Sequence, residues 1–271
     1  MTDETPRASG GPEIERSSVQ VTRPREGVAL ITLVSRPLGV LRNAVKRALK
    51  DALVEQEADP GVRCVVLTGT DRAFSVGSDI RDFRQSKGWL IESEHVENDL
   101  NGAVEASRLP VIAACNGHTL GGGAVLALAC DLRLAAESAH FGFPEVKVAA
   151  FASGSGTQRL PRLVGHGRAM DLLLTGRIID ASEALQIGLV EFVVPDDELL
   201  ERALVIAAEI AAKPAAAIAA SKRCVNVGLR DGIAAGLALE LELAVEMGLT
   251  EDAAEGQAAF MEKREPRFGK R

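Results

Sequence analysis

The chain is predicted to be an α/β protein with an added helical layer, and three observations carry this. Strand-type apolar runs alternate with helix-patterned segments between Val28 and Pro195. Those runs are continuously apolar, as in parallel strands buried on both faces. From Asp197 onward almost every segment favours helix.

The first eighteen residues mix Pro, Gly, Ser and charge without periodicity and are expected to form a loose tail. The chain therefore divides into 1–18, a core over 19–195 and a helical region over 196–271. VALITLV (28–34) reads as a strand, and 43–57 as a helix with Val45, Leu49, Ala52 and Leu53 at helical spacing. VRCVVLTG (62–69) is a second strand, ended by glycine before a polar turn. LPVIAACNG (109–117) is a third, running into Gly121, Gly122 and Gly123, after which AVLALACD reads as a buried helix. DLRLAA and AHFGFPE supply two short strands, with helices over 156–164, 168–175 and 181–187, and GLVEFVVP (188–195) closes the β-containing part. Helices are then predicted over 199–212, 215–228, 233–247 and 251–262. Their Ala-rich faces are more apolar than a free surface helix needs, which predicts burial against the core or another subunit.

Of the 271 residues 46% are hydrophobic and 25% charged, the balance of an ordinary folded domain. The net charge of −7 argues against nucleic acid or an anionic membrane as partner, so an anionic ligand must be caught by local groups. The polar start lacks an apolar leader and no long uncharged apolar stretch follows, so a cytoplasmic location is expected. Cys64, Cys115, Cys130 and Cys224 are widely spaced and read as reduced thiols. His95, His118, His140 and His166 lack metal-ligand spacing, and no metal is expected.

Two glycine turns are the candidate chemistry. In AFSVGSD (73–79) a tight turn at Gly77 can leave the N–H of Ser78 unpaired. In NGHTLGGGAVLALACD the glycines open a helix, whose first N–H groups lack intrahelical partners and favour negative charge. Neither matches a nucleotide fingerprint. The plain alternative is that the glycines serve only tight turns or close packing.

AFSVGSDI, IAACNGHTLGGGAVLALACDLRLAA, AHFGFPEVKV, GTQRLPRLVG, LLLTGRIIDASEALQIGLVEFVVP and EDAAEGQAAFMEKREPRF, in this order, resemble the crotonase family of enoyl-CoA hydratases and isomerases over 28–268. The resemblance implies a spiral of ββα units, a helical C-terminal region that builds a homotrimer or hexamer, and acyl-CoA as substrate with no cofactor. It also implies a thioester site whose two donors are the backbone N–H groups of Ser78 and Gly122, with Val76, Gly121 and Val125 around the substrate. A side chain at position 78 is free to be Ser where the family often has Ala. Removing a proton beside a thioester carbonyl makes an enolate, and preorganised donors stabilise that charge.

The implied proton carrier is Glu145 in GFPEV; among Phe141, Phe143, Pro144 and Val146 it should be partly desolvated and its pKa raised. Its plain alternative is a surface glutamate. Family hydratases carry a second glutamate at the position of Val125, which cannot titrate. One carboxylate suits double-bond migration, so isomerisation of an enoyl-CoA is expected ahead of 2-enoyl-CoA hydration in lipid catabolism, with a non-catalytic acyl-CoA-binding protein as a further alternative. Ala152 and Ser153 stand where a Pro-Gly-rich loop is usual, RPLGVLRNAV departs from the common adenine-pocket segment, and 82–105, with Trp89, resembles the variable loop and helix of the acyl tunnel. For CoA the resemblance points to Arg81, Phe260 and Lys263, whose plain alternatives are solvated charges and core. Asp131 is expected to be a structural hydrogen-bond acceptor.

Overall fold

The computed structural model describes residues 18–36 and 38–269 of the chain. The tail expected over 1–18 lies, Ser18 apart, outside the described residues.

Among the described residues ten strands form two sheets. The larger has the order β1-β2-β3-β5-β7-β10, built from β1 (Val19–Arg25), β2 (Val28–Leu33), β3 (Cys64–Gly69), β5 (Val111–Cys115), β7 (Leu132–Ala136) and β10 (Phe192–Val194). β1 runs antiparallel to β2, and the remaining pairs are parallel. The smaller sheet has the order β4-β6-β8-β9, from β4 (Ala73–Ser75), β6 (His118–Leu120), β8 (His140–Gly142) and β9 (Ile178–Asp180). Its first three strands are parallel, and β9 returns antiparallel. Each of three successive turns thus sends one strand into the large sheet and the next into the small one: β3 then β4, β5 then β6, β7 then β8. This is a spiral of ββα units.

The helices are α1 (Asn43–Ala58), α2 (Lys87–Ala106), α3 (Gly122–Ala129), α4 (Gly156–Val164), α5 (His166–Thr175), α6 (Ala181–Gln186), α7 (Leu199–Ala211), α8 (Ala215–Asp231), α9 (Ile233–Gly248) and α10 (Glu251–Glu262). Every residue of β3 and β5 is buried, as their unbroken apolar runs require. α7 lies across β2, β3, β5 and β7 and buries Leu199, Ala203, Leu204, Ile206, Ala207 and Ala211. Beyond it, α8 and α9 pack as an antiparallel pair in which Gly228 and Gly236 meet backbone to backbone: a Cβ on Gly236 would stand 2.9 Å from the Gly228 Cα.

Lys222 and Asp131 tie this outer layer to the spiral. The Lys222 ammonium donates to Asp131 Oδ2 (2.8 Å) and to the carbonyls of Val104 (3.1 Å) and Leu109 (3.0 Å), while Asp131 also accepts from the Val111 N–H at 2.7 Å. Asp131 is thus the structural acceptor expected. Cys64, Cys115 and Cys130 are buried free thiols, and burial pushes Cys64 and Cys115 up to about 12, far from thiolate reactivity. Cys224 is half-buried and free.

Candidate active site

β4 and β6 are neighbouring parallel strands, so the turns that leave their C-terminal ends must lie side by side. The first is Val76-Gly77-Ser78 and the second Gly121-Gly122. Val76 N–H donates to the Leu38 carbonyl, Leu41 N–H to the Gly77 carbonyl, and Gly77 N–H to Ser75 Oγ at 3.0 Å, which holds the first turn on both sides. Gly77 has φ +83°, and a Cβ there would lie 2.6 Å from the Gly122 nitrogen. No other residue fits so close a backbone approach. Gly122 opens α3, where N–H groups lack helical partners. Among the described residues neither the Ser78 N–H nor the Gly122 N–H has an acceptor. Both are available to an oxygen brought between them.

Glu145 comes from a 3-10 turn over Pro144–Val148, which Pro144 starts. Its Oε1 lies 3.4 Å from the place a Cβ on Gly121 would take, so the carboxyl group reaches the second turn. Its Oε2 is buried and lacks a hydrogen-bond partner among the described residues. Burial raises the Glu145 pKa above the ordinary carboxylate value; a bond from its own backbone N–H opposes this, and the negative charge of Glu97 adds to it.

Val125 is 1% exposed and packs against the start of α4, its Cγ2 lying 2.8 Å from where a Cβ on Gly156 would stand. Val76 shares the first turn, its carbonyl 3.6 Å from the Cβ position of Gly121. Arg81 stands beside the site but turns to Asp79, donating from Nε and Nη2 at 2.8 Å each, and this ion pair with Arg42 holds the Asp79 carboxyl at about 2. Phe260 and Lys263 lie at the end of α10, and no hydrogen bond or ion pair among the described residues links them to the two turns. The core alternative for Phe260 fails within this chain, since that ring is 83% exposed.

Sequence reasoning missed two groups and half of a third. Lys46 of α1 is 1% exposed, and its ammonium donates to Glu97 of α2 (2.6 Å) and to Ser78 Oγ (2.9 Å). Ser78 therefore contributes its hydroxyl to a buried network, beyond the backbone amide that the sequence reading asked of that position. One signal was present: Lys46 is three and seven residues before Leu49 and Leu53, on the apolar stripe of its helix, where a lysine demands a buried acid.

The class defined by this spiral of ββα units is the crotonase fold. Residues 23–271 match the enoyl-CoA hydratase/isomerase family, and the chain belongs to it. It is 38% identical to a crotonyl-CoA hydratase of Syntrophomonas wolfei over 249 residues, 90% of this chain and 95% of that one. A probable enoyl-CoA hydratase of Mycobacterium tuberculosis is 40% identical over 246 residues, covering 89% of this chain and 94% of the relative. The crystal structure of an enoyl-CoA hydratase from Bacillus anthracis superposes with a TM-score of 0.90 at 37% identity, covering 94% of this chain and all of that one.

Proposed function

We propose that this protein is an enoyl-CoA hydratase that adds water across the 2,3 double bond of a 2-enoyl-CoA in lipid breakdown. The observation that carries the reading is the pair of unpaired amides, Ser78 and Gly122, set against the buried carboxyl group of Glu145. The thioester oxygen takes both N–H donors, and the charge it gains as the enolate forms is met by dipoles already in place; losing one such donor typically costs about 2.7–4 kcal/mol of barrier. Glu145, protonated more readily than an ordinary glutamate, passes its proton to C2 as the enolate collapses. The family assignment and the relatives named as hydratases support hydration ahead of the isomerisation expected from sequence.

Isomerisation is the second reading, favoured by Val125, where the family's other glutamate is absent. One assay separates them. Hydration removes the conjugated thioester absorbance of a 2-enoyl-CoA, whereas isomerisation creates it from a 3-enoyl-CoA. Loss of absorbance from the 2-enoyl substrate is the expected result; a gain from the 3-enoyl substrate alone would select the isomerase, and inertness toward both would select a non-catalytic binder. The working unit is proposed to be a homotrimer or hexamer.

A further inference from the structure

Hydration needs an acceptor for a proton of the attacking water, and Val125 cannot supply one. Besides Glu145, the carboxylate that approaches the Gly121-Gly122 turn is Glu97, Asp79 of the first turn being taken by Arg81 and Arg42. Glu97 Oε1 lies 3.1 Å from the place a Cβ on Gly122 would occupy, and the Ser78 nitrogen lies 3.7 Å from that same point. Glu145 reaches the adjacent glycine, Gly121, at 3.4 Å. Two carboxyl groups, one from α2 and one from the turn after β8, therefore approach consecutive glycines of the turn that carries a thioester donor.

We propose that Glu97 is the second catalytic carboxylate of this enzyme, standing in for the glutamate that Val125 replaces, and that Lys46 is its positioning residue. The inference rests on the hydratase reading above. Glu97 Oε2 is taken by Lys46 Nζ, and Oε1 is the oxygen that approaches Gly122. The Glu97 side chain is 13% exposed and Lys46 is 1% exposed, so this is a desolvated pair. Such a pair is a poor device for stability, because removing two charges from water costs as much as their attraction returns, and apolar replacements of similar volume are often neutral or better. Lys46 lies on the apolar stripe of α1, where an aliphatic residue would pack without that cost.

The neighbouring backbone is also shaped around the carboxylate. Gly154 adopts φ +61°, and a Cβ there would stand 2.7 Å from both Cγ and Oε1 of Glu97. Asn101, one turn further along α2, donates to the Gly154 carbonyl at 2.9 Å, and Ser153 Oγ donates to Glu94 at 3.0 Å. The unusual sequence of the 150s segment is thus the counterpart of α2, and it leaves Glu97 room.

The two carboxyl groups divide the reaction. Glu97, ion-paired to Lys46, accepts a proton from water as the water oxygen bonds to C3; the C2–C3 π pair becomes the C1–C2 bond of the enolate, and the carbonyl π pair moves onto the thioester oxygen, held by Ser78 and Gly122. The enolate then collapses onto C2, taking the proton of Glu145 and leaving Glu145 ionised and Glu97 protonated. Transfer of that proton from Glu97 to Glu145 through the next water restores the enzyme.

The test compares wild type with E97Q and with K46M/E97Q, the double variant leaving no lone buried charge if E97Q alone fails to fold. Hydration of a 2-enoyl-CoA is followed, with circular dichroism melting as the fold control. In the folded variants kcat is expected to fall on the order of 100-fold or more, the usual range for loss of a general base, while KM shifts about threefold or less. Folded variants that hydrate within about threefold of wild type would overturn the assignment alone. A wild-type protein inert toward 2-enoyl-CoA substrates would overturn the hydratase reading and this assignment together.

Discussion

Glu145 holds one oxygen buried without a hydrogen-bond partner among the described residues, and its pKa is raised first by burial and then by the charge of Glu97. Below the unfolded carboxylate pKa both folded and unfolded chains carry it protonated and it costs nothing extra. As pH rises through the folded value, the native state must ionise a desolvated group that the unfolded chain ionised earlier, so stability falls over that window. Glutamine does not titrate. The melting temperature of E145Q relative to wild type is therefore expected to rise between pH 4 and pH 7, while kcat drops about 100-fold or more. A flat difference across that range would show that the carboxyl group is solvated. The Gly77 turn in the sequence pointed to the Ser78 N–H, whereas Gly122 and Glu145 were reached through the family resemblance of their motifs. Glu97 was not legible: it falls in 82–105, which resembles only the variable loop and helix of the acyl tunnel, and it is the packing of α2 on α1 that brings that glutamate to Lys46.

Elements with unbroken apolar runs, such as β3 and β5, were read within a few residues because burial on both faces leaves no polar position. β1 and β9 were missed for opposite reasons. β1 is an edge strand with no buried residue and a proline at 24, so neither alternation nor an apolar run marks it. β9 has three residues, too few for any period. The two glycine turns are elements in their own right, and their contact gives a direct expectation. G77A places a methyl carbon 2.6 Å from the Gly122 nitrogen at a φ of +83°, which costs about 1–2 kcal/mol in backbone strain alone. Displacing that amide should also lower kcat on the order of 100-fold, as for a lost oxyanion donor. An active, fully stable G77A would mean that the turns are not in contact. Lys222 tests the join between layers instead. K222A leaves Asp131 buried without its cation, and with Asp131 25% exposed the loss should fall near the lower end of the roughly 3–5 kcal/mol typical of broken buried pairs. Denaturant melts should show it, with kcat of the folded fraction unchanged because Lys222 contacts neither turn.

At the scale of the whole molecule, α9 and the residue that caps it present Ile233, Leu237, Leu241, Val245 and Leu249 at four-residue spacing, each more than half exposed in the single chain. Phe260 and Met261 at the end of α10 are about four-fifths exposed. The opposite side of α9 already packs on α8, so this stripe is not a face waiting for the chain's own core. Fully burying a Leu or Ile side chain is worth about 1.5–3 kcal/mol, so five in one stripe exceed what a monomer leaves in water by accident. A second and third copy of the chain are the occupants that the family resemblance implies, and a symmetric ring satisfies every copy with one kind of contact. Sedimentation equilibrium of the wild type should then give three or six times the mass of the chain. L241E puts a charge at the centre of the stripe and should shift the equilibrium toward monomer, with the melting temperature becoming dependent on protein concentration. A monomeric wild type, or an L241E variant of undiminished mass, would show that the stripe does not carry the assembly.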